Sequence, residues 1–312
     1  MPINKPTDKR VCERCGVEIP LDFVNPLCWE CYDKLEKAKQ KQEEKLKEEP
    51  KPEPKPTTET KNGITNPNYK ENPEMPDKEQ WETNINLFRR NGVMLFGPTR
   101  DMYNFIKDYN LNKIQEHPQY PKFIWKPKIV DVGCGCGVGS NRLSQEADFV
   151  WGIDKNEGSI RFAKECFTRI KNQIYYSAQV TFDVIDIIKD TREYAKFDQV
   201  VAIEIIEHID DYETFLKQIK KFNKVDKKGN PVTTDPTEFW ISSPNRNNDH
   251  IRNDRPKNKY HVREWTSSEM LDILHEHFVN VEFFNSKGEP IPKEEYRTTN
   301  HTPLLTKSTI LK

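Results

Sequence analysis

The feature that most restricts the fold of this chain is the run IVDVGCGCGVGSNRL at 129–143. A strand-length apolar stretch ends beside an acidic residue and then turns through alternate glycines into a helical pattern. Glycines permit a tight turn and let backbone approach a ligand closely, so the run predicts the strand–turn–helix unit of an open α/β sheet. Asp131 closes the strand, and Gly133, Gly135 and Gly137 occupy the turn.

Apolar runs near 128–132, 149–153, 179–183, 198–203 and 237–243 alternate with helical patterns, the signature of βαβ units. The expected fold class is therefore α/β, with a doubly wound and mostly parallel sheet. Runs near 278–284 and 305–311 follow one another without a helix between them, which predicts an antiparallel hairpin at the sheet edge. Upstream, residues 64–125 contain WETNINLFRR and TRDMYNFIKDYN and read as a helical lid on a catalytic core at 126–312.

The N-terminal part has a different character. Only 34% of the chain is hydrophobic, below the roughly 45–50% of globular domains. Residues 33–63 account for much of the shortfall, because Glu, Lys and Pro dominate there and almost nothing can be buried. This segment reads as a semi-stiff linker. Before it, residues 1–32 carry Cys12-x-x-Cys15 and, after a twelve-residue gap, Cys28-x-x-Cys31. Two such turns place four thiolates around one tetrahedral zinc ion, a closed structural site. About thirty residues cannot bury a sufficient core alone, so zinc would supply the folding energy of a zinc-ribbon-like module. The module leaves nucleic acid and protein both open as its partner. Seven cysteines with two CxxC pairs fit a reducing compartment better than a disulfide framework. Cys134, Cys136 and Cys166 are assigned no chemistry.

The formal net charge is −1, so no global charge favours nucleic acid. No apolar run is long enough to cross a bilayer, and the N-terminus lacks the apolar stretch of a secretion signal, so a cytoplasmic protein without a membrane is expected. Without apolar heptads, a monomer is expected.

A glycine turn of this kind serves a dinucleotide or an adenosyl group equally. Asp131 changes the balance, since an anion there repels a pyrophosphate but suits the ammonium and sulfonium of adenosylmethionine. Asp154, about twenty residues on, stands where a carboxylate accepts ribose hydroxyls. Asp186 follows the third strand and is placed to take an adenine amino group, with Ile187 beside the ring; Asp183 competes with it. The structural alternative makes Asp154 a helix cap and Asp186 a loop residue.

Glu204, Glu207 and His208 follow the fourth strand, while Asn245, Arg246 and His261 follow the fifth; both strand ends lie on the ligand edge of such a sheet. Two functional readings stay open. His208 acts as a general base, or Glu204, Glu207, His208 and His261 bind a divalent ion such as Mg²⁺ or Mn²⁺. A purely structural role, capping and packing the next helix, is the third. The loop at 244–265 carries six basic residues, Arg246, Arg252, Arg255, Lys257, Lys259 and Arg263, against three acidic ones, which suits RNA or a nucleotide acceptor.

Taken in order, DVGCGCG, GID, VID and FDQVVAIEIIEHI resemble the class I S-adenosylmethionine-dependent methyltransferases over about 126–312. The resemblance implies a seven-stranded sheet with a reversed last strand, and cofactor contacts at Asp131, Gly133, Gly135, Asp154 and Asp186. EIIEH with HVREWT resembles the small-RNA 3′-terminal ribose 2′-O-methyltransferases, which implies Glu204, Glu207, His208 and His261 as metal ligands. The same segments also resemble ubiquinone-pathway O-methyltransferases, which implies a small-metabolite acceptor instead; the leading expectation is methyl transfer to an oxygen or nitrogen acceptor, with RNA or a nucleotide ahead of a small metabolite. A nicotinamide-dependent oxidoreductase and a non-catalytic adaptor are the alternatives of other classes.

Overall fold

The computed structural model describes residues 10–11, 18–19, 64–65, 97–115, 126–168, 179–248, 256, 258 and 260–310. These fall in two units. The first holds an antiparallel pair, β1 (Arg10–Val11) with β2 (Glu18–Ile19), on either side of the first CxxC in sequence. The four cysteines of the zinc reading, the linker, and residues 66–96 and 116–125 of the helical lid reading lie outside the described residues.

The second unit contains a pair between β3 (Ile64–Thr65) and β9 (Arg263–Glu264), and a seven-stranded sheet. Its strands are β4 (Lys128–Val132), β5 (Phe149–Asp154), β6 (Gln179–Val184), β7 (Gln199–Ala202), β8 (Glu238–Ser243), β10 (Val279–Phe284) and β11 (Leu304–Thr309). Their order is β10-β11-β8-β7-β4-β5-β6, with β11 antiparallel to both neighbours and the other pairs parallel. The expected hairpin thus forms, with β10 outermost and the reversed strand inside it.

Strand periodicity explains the layering. Ile129, Val201 and Trp240 point into one core with Met102, Tyr103, Leu143 and Ile160, while Val130, Val200 and Phe239 point into the other with Phe215, Leu216 and Leu274. Helices α1 (Gly97–Gln115), α2 (Val138–Leu143) and α3 (Glu157–Phe167) therefore cover one face. Helices α4 (Tyr212–Ile219) and α5 (Ser267–His277) cover the other. With both faces buried, the central strands need continuous apolar runs, and β7 and β8 are buried at every position. None of the described helices is long and apolar enough to cross a membrane.

The helix starts are chemically marked. Asn156 accepts from Ser159 N at α3, Asp211 accepts from Thr214 N at α4, and Thr266 with Glu269 forms a reciprocal capping box at α5. Chain direction reverses between β4 and β7, where one connection runs toward β5 and the other toward β8. Such a switch point opens a crevice beyond the carboxyl ends of the strands.

Candidate active site

The glycine turn lies in that crevice. Gly133, Gly135 and Gly137 all have positive φ, at 73, 51 and 79°. Gly133 and Gly137 are required by crowding as well, since a Cβ would stand 2.5 Å from Ile205 or 2.8 Å from Phe182. Gly135 is different: nothing lies within 4 Å of its Cβ direction, so the backbone there faces open space in which a ligand can sit.

Asp154 faces this turn. Its Oδ2 accepts from Gly135 N at 2.9 Å and its Oδ1 from Asn156 N at 2.8 Å. The cap of α3 is Asn156, so the capping alternative for Asp154 does not hold. Asp186 behaves more like a turn residue: Oδ1 accepts from Ile188 N at 3.2 Å, and Lys189 Nζ pairs with Oδ2 at 3.0 Å. Asp183 is engaged as well, accepting from the Trp151 indole N–H at 2.7 Å and pairing with Lys164 at 3.6 Å. Ile187 is buried beside Asp186 at the edge of the core.

Asp131 is enclosed. It is 0% exposed, with Tyr103 Oη donating to Oδ1 at 3.0 Å and Ser140 Oγ to Oδ2 at 2.6 Å. Burial, the largest influence, pushes its carboxyl up to about 7, against the pull of those two hydrogen bonds.

A second cluster stands at the ends of β7 and β8. Glu204 has φ 54°, a backbone conformation uncommon outside glycine and costing about 1–3 kcal/mol. Ser242 holds it there, its Oγ accepting from Glu204 N and donating to Glu204 Oε1, both at 2.8 Å. Beyond it, the 3-10 turn Ile206–His208 carries Glu207 and His208. Glu207 is fully buried, and neither carboxylate oxygen has a hydrogen-bond partner. His208 and His261 cross at 89° with ring centroids 4.8 Å apart.

Both imidazoles have their Nδ1 engaged. His208 Nδ1 donates to Tyr260 O at 3.0 Å, and His261 Nδ1 donates to Glu264 Oε1 at 2.6 Å. Each Nε2 is thereby left as the lone-pair nitrogen, and His261 Nε2 lies 4.0 Å from Glu207 Oε1 and 3.0 Å from Asn258 Nδ2. One candidate ligand atom each from Glu207, His208 and His261 falls within 4.8 Å of the others. Burial raises Glu204 to about 7 and Glu207 well above the usual carboxylate range, while it lowers His208 to about 3. An imidazole that resists protonation this strongly is a weak general base toward a hydroxyl but a good neutral ligand.

Not every expected residue converges. Asn245 turns its amide to Thr299 O and His301 O, and Arg246 pairs with Glu269 at 2.9 Å. Both hold the loop after β8 in place and are kept from the crevice. Arg263 lies over the Tyr212 ring at 5.0 Å, and Arg252, Arg255, Lys257 and Lys259 lie outside the described residues. Conversely, Tyr103, Ser140, Ser242 and Glu264 emerge as supports of the site. Glu264 was detectable as the acidic residue three after His261; the hydroxyls carry no sequence signal of their own.

An acidic strand end, an open glycine turn and a carboxylate bound to it, all at the switch point of a doubly wound sheet, define a site for an adenosyl ligand. A family model described as a methyltransferase domain matches residues 126–283, half of the chain. The chain belongs to this family of S-adenosylmethionine-dependent methyltransferases, which sets aside the nicotinamide alternative. The residues fit the cofactor: Gly135 leaves room for it, and the Asp154 carboxylate lies against the same turn.

Among curated proteins, the chain is 33% identical over 132 residues to a ubiquinone biosynthesis O-methyltransferase of Pelagibacter ubique, covering 41% of this chain and 50% of the relative. It is 34% identical over 152 residues to the mitochondrial ubiquinone biosynthesis O-methyltransferase of Bos taurus, covering 45% and 39%. The chain thus spans half or less of the length of these relatives. Among solved structures, a SAM-dependent methyltransferase from Methanosarcina mazei is 16% identical, covering 60% of this chain and 94% of that one, with a TM-score of 0.43.

Proposed function

We propose that this chain transfers the methyl group of S-adenosylmethionine to a hydroxyl oxygen, with a divalent ion such as Mg²⁺ or Mn²⁺ held by Glu207, His208 and His261 beside Glu204. The observation that carries the reading is the Glu207 carboxylate, buried with both oxygens unpartnered and facing an imidazole nitrogen. A buried carboxylate left this way costs several kcal/mol unless a proton or a cation neutralises it. Oxygen and imidazole donors suit Mg²⁺ or Mn²⁺.

A divalent ion at this place would acidify and orient an acceptor hydroxyl. The residues themselves do the rest. Glu264 and the Tyr260 carbonyl fix both histidine tautomers with Nε2 as the lone-pair nitrogen, and Asn258 Nδ2, which donates to His261 Nε2 at 3.0 Å, would give way to the ion. Ser242 fixes Glu204 at the strand end, and the glycine turn with Asp154 seats the donor so that acceptor and methyl carbon meet in line.

The relatives named for ubiquinone biosynthesis favour a small hydroxylated metabolite as acceptor. A ribose hydroxyl at an RNA end ranks second, because Arg246 and Arg263 of the basic loop are committed to partners inside the protein. For the N-terminal module, Cys12, Cys15, Cys28 and Cys31 would hold one structural zinc, a reading supported by their spacing and by the hairpin across the first pair.

The test is methyl transfer from labelled donor to small hydroxylated metabolites and to RNA. Product should form with one acceptor class, vanish with EDTA and return with Mg²⁺ or Mn²⁺. Metal analysis of the same protein should find one zinc per chain. Activity indifferent to chelation sinks the metal assignment, and no product with any acceptor leaves a non-catalytic adaptor.

A further inference from the structure

We infer that Tyr103 is a positioning residue for the methyl donor, its hydroxyl holding the buried Asp131 carboxylate in the ionised and oriented state that a cationic ligand requires. The inference rests on the reading of the glycine turn as the donor site. Tyr103 lies on α1, upstream of the residues matched by the family model.

Three features are built around one carboxylate. The Tyr103 ring occupies a notch made by Gly139, where a Cβ would stand 2.2 Å from the ring. The next residue, Ser140, supplies the second hydroxyl to Asp131, so α1 and α2 clamp the two carboxylate oxygens separately. Tyr103 is itself 4% exposed, and burial with the neighbouring Asp131 keeps its phenol protonated, which leaves it a donor.

The groups that face Asp131 are Tyr103 on α1, Ser140 on α2, Cys134 in the turn and Asp154 at the end of β5. None is cationic, and among the described residues no basic side chain bonds to it. A fully buried carboxylate with two neutral donors and an anionic neighbour lacks a counter-charge. Adenosylmethionine brings two positive charges, an ammonium and a sulfonium. Adenosylhomocysteine has lost the second, so the carboxylate favours donor over product as long as it stays ionised. Hydrogen bonds to the charged form are what keep it so.

The sign of the pH effect follows. Protonated Asp131 offers the donor no charge, so affinity falls as pH drops through the Asp131 titration near 7. Removing the Tyr103 hydroxyl destabilises the anion and moves that fall to higher pH.

Full-length protein and its Tyr103→Phe variant would be titrated with adenosylmethionine and with adenosylhomocysteine by calorimetry between about pH 5.5 and 8.5. The variant keeps its ring in the Gly139 notch. At neutral pH it should bind the donor about tenfold more weakly, the range for one hydrogen bond to a charged group. The loss should be smaller for the product, and the pH profile should move upward. Ser140→Ala removes the other donor to the same carboxylate and should move the profile the same way, which covers a Tyr103→Phe protein that fails to fold. Equal loss for both ligands with an unmoved profile would make Tyr103 a packing residue and overturn the inference. If wild type binds the donor and Asp154 matters while the Tyr103 hydroxyl does not, only this inference falls; if wild type binds neither ligand, the donor site falls with it.

Discussion

Asp154→Ala should lose binding of both adenosylmethionine and adenosylhomocysteine by about 10²–10⁴-fold in calorimetry. On the proposed reading the carboxylate accepts from two ribose hydroxyls, and two charge-assisted hydrogen bonds at about 1.5–3 kcal/mol each give that range. There is a second contribution. Asp154 Oδ2 accepts from Gly135 N, so the alanine variant also frees the glycine of this turn whose backbone faces open space. The fold should survive, because α3 is capped by Asn156 and not by Asp154. Circular dichroism unchanged beside lost binding is the expected pair of results. Unchanged affinity would remove Asp154 from the donor site.

Glu207→Gln should act in opposite directions on stability and activity. In the metal-free protein, burial raises Glu207 well above its ordinary range, with Glu204 and Glu264 adding to the effect. A carboxyl whose folded-state pKa is raised contributes its full stability below the unfolded value, and loses it as pH rises toward the folded value. Metal-free wild type therefore weakens as pH rises above the ordinary carboxylate range, whereas glutamine, neutral throughout, does not. The variant should therefore melt at a higher temperature than metal-free wild type at neutral pH. The difference should shrink toward pH 4. With Mn²⁺ present, wild type should rise in melting temperature and the variant should not. Methyl transfer should fall by roughly 10²–10⁴-fold, since polarisation by a metal is worth several kcal/mol. A variant that is both less stable and fully active would mean that Glu207 only packs the turn.

The sheet was legible because parallel strands buried on both faces must be apolar almost without interruption. The runs read near 128–132, 149–153 and 179–183 form β4, β5 and β6 within a residue. The glycine turn was legible for a similar reason, since its backbone angles exclude other residues at little cost only for glycine. Polar side chains were less so. Asn245 and Arg246 stand at a ligand-facing strand end yet turn inward, to Thr299 and Glu269, because the loop after β8 has its own unsatisfied groups to pair. Local sequence holds no information about partners 54 and 23 residues away.

Tyr103 shows the same limit from the other side. TRDMYNFIKDYN offers several aromatic residues at helical spacing, and only the packing of α1 on α2 decides which hydroxyl reaches Asp131. Asp131 itself was expected to meet the donor directly; its carboxylate is instead enclosed by two hydroxyls, so its charge acts from within the core. The Glu-x-x-Glu-His spacing implied one four-residue ligand set. In the structure, Glu207, His208 and His261 close together while Glu204 is tied to Ser242, a distinction that depends on the positive φ at Glu204 and not on spacing.

The most direct measurement is a crystal of the full chain grown with adenosylhomocysteine and Mn²⁺, recorded at a wavelength where manganese scatters anomalously. The account predicts nucleoside density against Gly135 and Asp154, and one anomalous peak bounded by Glu207, His208 Nε2 and His261 Nε2. Nucleoside density elsewhere, or a crevice with no peak while Glu207 remains unpartnered, would contradict it.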